Sequence, residues 1–202
     1  AESSPRSASS DGALRSASDA RQEDTRNFNR IRSEIDRQIQ GDAGLSRLRN
    51  QVRFVQTREG LRIDLVDEAD FSMFALGTTA LVPEASKLVA QIAKSIAPLT
   101  NRVTVRGHTD SVPYGDPTRM NNWMLSTGRA EATRRRLEQG GVPEARYERI
   151  EGVADREPFV ADRFDPRNRR ISITVLYNDE RRSAPLAGRD APAAVAEQDA
   201  AR

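Results

Sequence analysis

The spacing of apolar positions changes along the chain, and it first predicts a helix. Between Arg21 and Gln40, apolar residues recur every three or four positions among charged ones, at Phe28, Ile31, Ile35 and Ile39. This spacing predicts a helix with a narrow apolar stripe, which Gly41 would end. Such a thin stripe favours packing against a neighbouring element or a second chain over a core of its own.

Short alternating runs then predict β-strands. QVRFVQT and LRIDLV flank residues 58–60, where Gly60 predicts a hairpin turn. RVTVRG (102–107) and ISITVLY (171–177) predict two further strands, and β-branched residues dominate the second. YERIEGV (147–153) is a weaker strand candidate.

Two helices are predicted between these strands. Pro83 opens the first, which continues to about Ala97, and the second covers about Asn122 to Gln139 before Gly140. Strands that alternate with helices, together with a hairpin, favour an α/β fold. We expect an α+β two-layer sandwich with a mixed β-sheet and helices on one face.

The polar ends divide the chain into four segments. We expect a flexible Ser/Ala-rich linker at 1–20, a helical linker at 21–50, the folded domain at 51–177 and a disordered tail at 178–202. No run of about 18 apolar residues predicts a membrane span, and no signal peptide is recognisable. Because the chain begins at Ala1, we interpret it as a processed form or an excised soluble fragment.

Composition narrows the possible chemistry. The chain has no cysteine and one histidine, His108, so we expect no disulfide, no metal site, no cofactor and no catalytic residue. The sequence pI is about 9.4 but the formal net charge is only +2. An Arg-rich nucleic-acid-binding protein is therefore weakly supported, and the sequence offers no nucleophile–base pair for a hydrolase.

Two charged residues are the main candidates for ligand binding. Asp110 follows the strand RVTVRG, and Arg129 lies about two turns into the helix that begins near Asn122. Strand ends and helix starts hold side chains rigidly, and an arginine fork binds a carboxylate through two parallel hydrogen bonds. An acid and a base on one rim suit a zwitterion that carries both an ammonium and a carboxylate.

Three ordered motifs carry a resemblance to a known family. GHTD (107–110), N-x-x-LS-x-x-RA (122–130) and PRNRRISI (166–173) resemble the OmpA-like peptidoglycan-binding family over about residues 61–177. The resemblance implies the C-terminal OmpA fold and a peptidoglycan ligand, the diaminopimelate of the stem peptide. It implies ligand-binding roles for these residues: Asp110, Arg129, Thr109, Asn122, Leu125 and Phe74.

Three further positions are possible contributors. Arg169 and Arg170 match the family's last motif, where they either hold the fold or reach the ligand. Gly77 departs from the family, since many relatives have an aspartate three residues after the aromatic. Its backbone N–H can still contact a ligand, but a side-chain contribution is lost.

Within this family, GLRIDLVDEADFSMFALGTTAL, the GHTDSVPYG loop and the NNW start of the second helix are similar to the branch that anchors flagellar stators. That branch implies a non-catalytic wall anchor, a homodimer and an ion-channel stator partner subunit. It also implies a periplasmic location, as part of an inner-membrane protein whose membrane helix is not in this chain. A general tether between the outer membrane and peptidoglycan is the alternative within the family.

Overall fold

The computed structural model describes residues 8–113 and 120–178, with side chains from residue 18 onward. Its helices are α1 (Ala8–Gly41), α2 (Ala43–Ser46), α3 (Pro83–Ile96) and α4 (Asn122–Gln139). Its strands are β1 (Val52–Gln56), β2 (Gly60–Val66), β3 (Val103–His108), β4 (Tyr147–Gly152) and β5 (Arg170–Leu176). The predicted helices α3 and α4, the hairpin and all the later strands are confirmed within two residues.

The strands form one five-stranded sheet in the order β1-β2-β5-β3-β4. Only β3 and β4 run parallel, with α4 in the connection between them, and the other three pairs are antiparallel. Strand β5 lies in the centre, so its first residue, Arg170, pairs with the last residues of both neighbours, Val66 and His108. The predicted mixed sheet is therefore confirmed.

The two faces of the sheet differ because side chains alternate along each strand. The inner face carries Ile63, Val105 and Ile173, which are fully buried in the core beneath α1, α3 and α4. Helix α4 lies very close to this face, since a Cβ at Gly107 would fall 2.0 Å from the carbonyl oxygen of Ser126. No helix in the described part of the chain covers the outer face, which presents polar residues such as Arg62 and Thr104.

Helix α1 belongs to the same core as the sheet. The predicted stripe Phe28, Ile31, Ile35 and Ile39 is at most 1% exposed, and α1 packs on α3. The stripe therefore packs against a neighbouring element within the chain, one of the two outcomes that the sequence favours.

One polar residue extends this stripe by a turn. The Asp24 carboxylate is buried and accepts hydrogen bonds from Asn101 Nδ2 (2.8 Å) and from the backbone N–H of Asn178 (2.6 Å). Arg21 stacks over Tyr177, with its guanidinium carbon 4.3 Å from the ring centroid. These contacts join α1 to the end of β5.

The prediction of a flexible linker at 1–20 is wrong for residues 8–20, which form the first turns of α1. Alanine has the highest helix propensity, so a Ser/Ala-rich segment continues a helix without an apolar stripe. Residues 1–7 and 179–202 lie outside the described residues, so the linker prediction for 1–7 and the tail prediction beyond Asn178 concern that part of the chain. None of the helices in the described ranges is long and apolar enough to cross a membrane.

Candidate ligand-binding site

The pairing of the three central strands brings the predicted site residues together. Strands β2 and β3 end where β5 begins, so the residues that follow β2 and β3 lie on either side of Arg169. Asp67 donates its backbone N–H to the Arg169 carbonyl (3.0 Å) just beyond Val66. Thr109 and Asp110 follow His108 on the other side. Two acids and one base thus converge at a single edge of the sheet.

Asp110 is held from several directions. It is 6% exposed, its Oδ2 accepts from Arg169 Nη1 (2.8 Å) and its Oδ1 accepts from the Val112 backbone N–H (3.2 Å). Asn122, in the first turn of α4, donates to the Asp110 carbonyl oxygen (3.2 Å). Asp110 is therefore fixed in position by Arg169, which precedes β5, by its own loop and by α4.

Arg129 is fixed on α4 by two kinds of contact. Its Nε donates to the Thr78 carbonyl oxygen (3.0 Å), and its guanidinium carbon lies 4.9 Å from the centroid of the Phe74 ring. The residue is only 5% exposed. A guanidinium held by a carbonyl and an aromatic face keeps its planar fork in one orientation, which suits recognition of a carboxylate.

Arg169 lies between two carboxylates. Its Nε donates to Asp67 Oδ2 (2.9 Å) and its Nη1 to Asp110 Oδ2 (2.8 Å). Burial acts to lower the pKa of Arg169, but the hydrogen bonds to Asp110 and Asp67 outweigh it and raise that pKa. Asp67 also accepts from Ser72 Oγ (2.9 Å) and from the Met73 backbone N–H (2.8 Å), so it is a buried support for Arg169.

These residues surround an open cavity of about 360 Å³, which we call the edge cavity. Among the described residues, its charged lining consists of Asp110, Arg129 and Arg169. Its apolar lining comprises these side chains: Phe74, Leu76, Val112, Pro113 and Leu125. Because charges of both signs flank apolar walls, the cavity is suited to a ligand with an aliphatic stem that ends in a zwitterion.

The remaining predicted residues divide between two places. Thr109, Asn122 and Gly77 line the edge cavity. Gly77 has a φ of +68°, and no atom lies within 4 Å of the position that a Cβ would take there. Arg170 lies elsewhere, because alternation along β5 turns it to the outer face, where its Nη1 donates to the Glu157 carbonyl oxygen (2.9 Å). Binding roles for these residues stay predictions.

The sequence reasoning missed Asp67 and Ser72. The sequence did contain a signal, because both acids come shortly after a strand. Asp67 is the first residue after β2, and Asp110 is the second residue after β3. Recognising it required the strand order β2-β5-β3, which places both strand ends beside Arg169. The apolar wall from Leu76 and Val112 lacked such a signal, since both lie in loops without periodicity.

Catalytic or metal chemistry finds little support among the described residues. No group of three or more His, Asp or Glu side chains in the described ranges could hold a metal ion. His108 is buried, and burial followed by the charges of Arg170, Arg106 and Arg62 lowers its pKa to about 3. A histidine with that pKa is neutral near pH 7 and a very weak base, which disfavours a role as general base.

Comparison with known proteins relates this arrangement to a family. The OmpA family model matches residues 73–172, which include all the described residues that line the edge cavity except Ser72. Motility protein B of Escherichia coli (strain K12) is 34% identical over 154 residues. That alignment covers 73% of this chain and 48% of the E. coli protein, so the chain spans about half the length of this curated relative.

Solved structures share the fold. A MotB-like protein from Desulfovibrio vulgaris matches with a TM-score of 0.64 and 19% identity over 80% of this chain and 98% of that chain. The cell wall anchor of the type VI secretion system from Pseudomonas aeruginosa matches with a TM-score of 0.55 and 26% identity. That match covers 63% of this chain and 89% of the anchor.

Proposed function

Because this chain contains an OmpA-family domain, we propose that it is a non-catalytic peptidoglycan anchor that holds the diaminopimelate of the stem peptide in the edge cavity. The observation that carries the proposal is the cavity itself, in which buried Asp110 and buried Arg129 flank one apolar-walled space. Diaminopimelate ends in an ammonium and a carboxylate on an aliphatic stem, so its chemistry matches this lining.

Each charged group has a defined task in this proposal. Asp110 accepts a hydrogen bond from the ligand ammonium, while Arg169 Nη1 donates to the Asp110 carboxylate (2.8 Å) and holds it in position. Arg129 donates to the ligand carboxylate from a guanidinium that Thr78 and Phe74 keep in place. Leu76, Val112 and Leu125 contact the aliphatic stem. Preorganisation of this kind lowers the entropy that binding must remove.

The protein complex that this domain would anchor is proposed from the relatives. Similarity to Motility protein B favours a flagellar stator, in which the wall anchor acts as a homodimer in the periplasm with a MotA-like ion-channel partner. The type VI secretion anchor has the same fold, so wall attachment is the more general part of the proposal. A tether between the outer membrane and peptidoglycan would use the same cavity.

Pelleting with purified sacculi tests the anchor. Asp110→Asn and Arg129→Gln remove one ligand charge each with little change in volume, and each should reduce the bound fraction at least about tenfold. Arg135→Gln is the matched control, because Arg135 lies on the same helix with its side chain 69% exposed. Circular dichroism checks that each variant is folded. Unchanged pelleting by both site variants would contradict the proposed site.

Competition by small ligands tests the diaminopimelate part separately. A stem peptide that contains diaminopimelate should release the domain from sacculi, whereas the same peptide with lysine in its place, whose side chain ends in an ammonium alone, should not. If the lysine peptide competes equally well, Arg129 does not bind a ligand carboxylate and another wall component occupies the cavity.

A further inference from the structure

The outer face of the sheet contains polar side chains aligned by strand pairing. Across β2, β5 and β3, one row consists of Arg62, Thr174 and Thr104. The next row consists of Asp64, Ser172 and Arg106, and Arg170 then pairs with His108. None of these residues belongs to the edge cavity.

Arginines outnumber acids on the strands of this face. Five arginines point outward, at Arg53, Arg62, Arg106, Arg149 and Arg170, against two carboxylates, Asp64 and Glu151. Asp64 is fully buried and is bonded to Arg62 Nε (3.0 Å) and Ser172 Oγ (2.6 Å). Sheet residues alone therefore give this face a formal charge of +3.

Part of this face forms a second cavity of about 260 Å³, which we call the outer-face cavity. Its floor includes the hydroxyl-bearing residues Thr104, Ser172 and Thr174, all less than 9% exposed. Its sides are formed by the arginines and by loop residues, namely Arg58, Arg62, Arg106, Arg170, Thr57, Glu59 and Glu157. Guanidinium groups above buried hydroxyls resemble the donor sets that recognise oxyanions.

His108 provides a second, independent indication of a ligand. Its side chain is 1% exposed and lines the outer-face cavity, yet its Nδ1 has no hydrogen-bond partner among the residues that the structure describes. The nearest carboxylate oxygen, on Glu157, is 3.9 Å away, which is too far for a hydrogen bond. A buried polar atom without a partner is unfavourable unless a bound group satisfies it.

Arg170 supplies an incompletely neutralised charge beside that nitrogen. Its hydrogen bond goes to the carbonyl oxygen of Glu157, and its guanidinium carbon lies 5.6 Å from the Phe159 ring centroid. Arg106, in contrast, is bonded to Glu151 and to Glu157 (2.8 and 3.1 Å). Burial, Arg62 and Arg106 lower the pKa of Arg170 despite the opposing effect of Asp64.

We propose that the outer-face cavity binds a phosphate group, held by Arg62, Arg106 and Arg170 above the hydroxyls of Thr104 and Thr174. Phosphate oxygens accept from guanidinium forks. Near neutral pH, a phosphate monoester or inorganic phosphate carries both P–O⁻ acceptors and, in part, a P–OH donor. It can therefore satisfy His108 Nδ1 in either tautomer, which sulfate and acetate cannot do.

Glu157 is the internal competitor for this ligand. Its carboxylate binds Arg106 Nη1 at 3.1 and 3.2 Å and is 47% exposed, so it can move away without leaving a buried charge behind. Arg106 would keep Glu151 as a partner after that movement. The proposal consequently predicts opposite effects for two neighbouring substitutions, loss of binding at Arg170 and gain of binding at Glu157.

Calorimetric titration of the full chain with inorganic phosphate, at fixed ionic strength, tests the proposal. We expect saturable binding that Arg170→Gln weakens at least about tenfold and that Glu157→Gln tightens severalfold. Arg149→Gln is the matched control, because Arg149 is on the same face but outside the cavity and loses the same charge. Sulfate and acetate should bind more weakly than phosphate.

Three outcomes would overturn the proposal: no saturable binding, equal weakening by Arg170→Gln and Arg149→Gln, or equal binding of sulfate. Thermal melting identifies whether Arg170→Gln is folded. If it is not, Glu157→Gln still decides, because unchanged or weaker phosphate binding in that variant contradicts the competitor role.

An experiment with lipid vesicles distinguishes free phosphate from a lipid headgroup as the ligand. Phosphatidylcholine vesicles with and without phosphatidic acid, which bears a phosphate monoester, are compared by co-sedimentation. Binding that requires phosphatidic acid and Arg170 but not Arg149 identifies a lipid phosphate as the ligand. Titration with inorganic phosphate but no vesicle binding identifies a free phosphate. Absence of both contradicts a phosphate site.

Discussion

Arg169 lines the edge cavity and the adjacent Arg170 lines the outer-face cavity, yet the two cavities are built differently. In the edge cavity a few charges stand among apolar walls, and each is held by defined neighbouring groups, as Arg169 is by Asp67 and Asp110. In the outer-face cavity arginines crowd together above hydroxyls. Fixed charges favour selectivity for one ligand shape, whereas crowded and partly exposed charges favour affinity that depends on salt.

Strand alternation explains how neighbouring residues come to serve different cavities. Arg169 precedes β5 and Arg170 begins it, so their side chains point to different sides of the sheet. The matched pair Arg169→Gln and Arg170→Gln therefore separates the two cavities with the smallest possible change in sequence.

The largest effect is expected for Arg169→Gln. It leaves the buried Asp67 carboxylate without its charged partner and should lower the free energy of unfolding by about 2–3 kcal/mol, less than for a fully buried pair because Arg169 is 26% exposed. Binding to sacculi should fall at least about tenfold, since Asp110 also loses its support. Urea unfolding and pelleting measure the two effects.

Arg170→Gln is the control for that variant. It should leave pelleting with sacculi unchanged, because Arg170 does not line the edge cavity. Equal losses of wall binding in the two variants would show that the two cavities are coupled.

A loss of stability of intermediate size is expected at acidic pH, because of His108. Its pKa is lowered from 6.5 to about 3 by burial and by three arginines, so the folded state keeps the imidazole neutral while the unfolded state protonates. Stability is therefore unaffected above about pH 6.5 and decreases as the pH falls from there towards 3. At pH 5 this contribution amounts to about 2 kcal/mol.

His108→Gln isolates this contribution from that of the carboxylates. The difference in the free energy of unfolding between pH 7 and pH 5, measured with urea, should be smaller in the variant by about 2 kcal/mol. Identical pH dependence in both proteins would mean that His108 is protonated as easily in the folded state as in the unfolded state.

The smallest effect is expected at the rim of the edge cavity. Gly77→Ala places a Cβ on a residue with φ +68°, which costs about 1 kcal/mol in the free energy of unfolding. Pelleting should change little, because the new methyl group meets no atom within 4 Å. Gly41→Ala, at an equally open position without positive φ, serves as the control and should not destabilise. A strong loss of wall binding in Gly77→Ala would indicate that the ligand approaches the backbone there.

The sequence predicted the elements better than it predicted their relations. Helix α4 has the predicted bounds, Asn122 to Gln139, because an N-cap at Asn121 and glycines at 140–141 mark its ends locally. The predicted start of α1 was wrong, because an alanine-rich helix without an apolar stripe has the same sequence pattern as a linker. Arg170 faces outward because it alternates with the buried Ile171 and Ile173, whereas Arg169 precedes the strand and no local pattern predicts its direction.

The candidate site was predictable only where one motif carried it. Asp110 and Arg129 belong to recognisable segments, and the structure places both on the edge cavity. Asp67 supports Arg169 across 102 positions of the sequence, through a strand order that no local pattern encodes. Long-range partners of this kind require the folded structure.

The buried carboxylate of Asp24 has a mechanical consequence. Helix α1 has 34 residues and, at 1.5 Å per residue, is about 51 Å long. Among its described side chains, from residue 18 onward, Asp24 is the first to be buried. A pull on the amino-terminal end of the helix would therefore be transmitted to Asn101 and Asn178, beside the carboxyl end of β5. Because β5 is the central strand and Arg169 lies just before its other end, one stiff path connects the point of loading with the edge cavity.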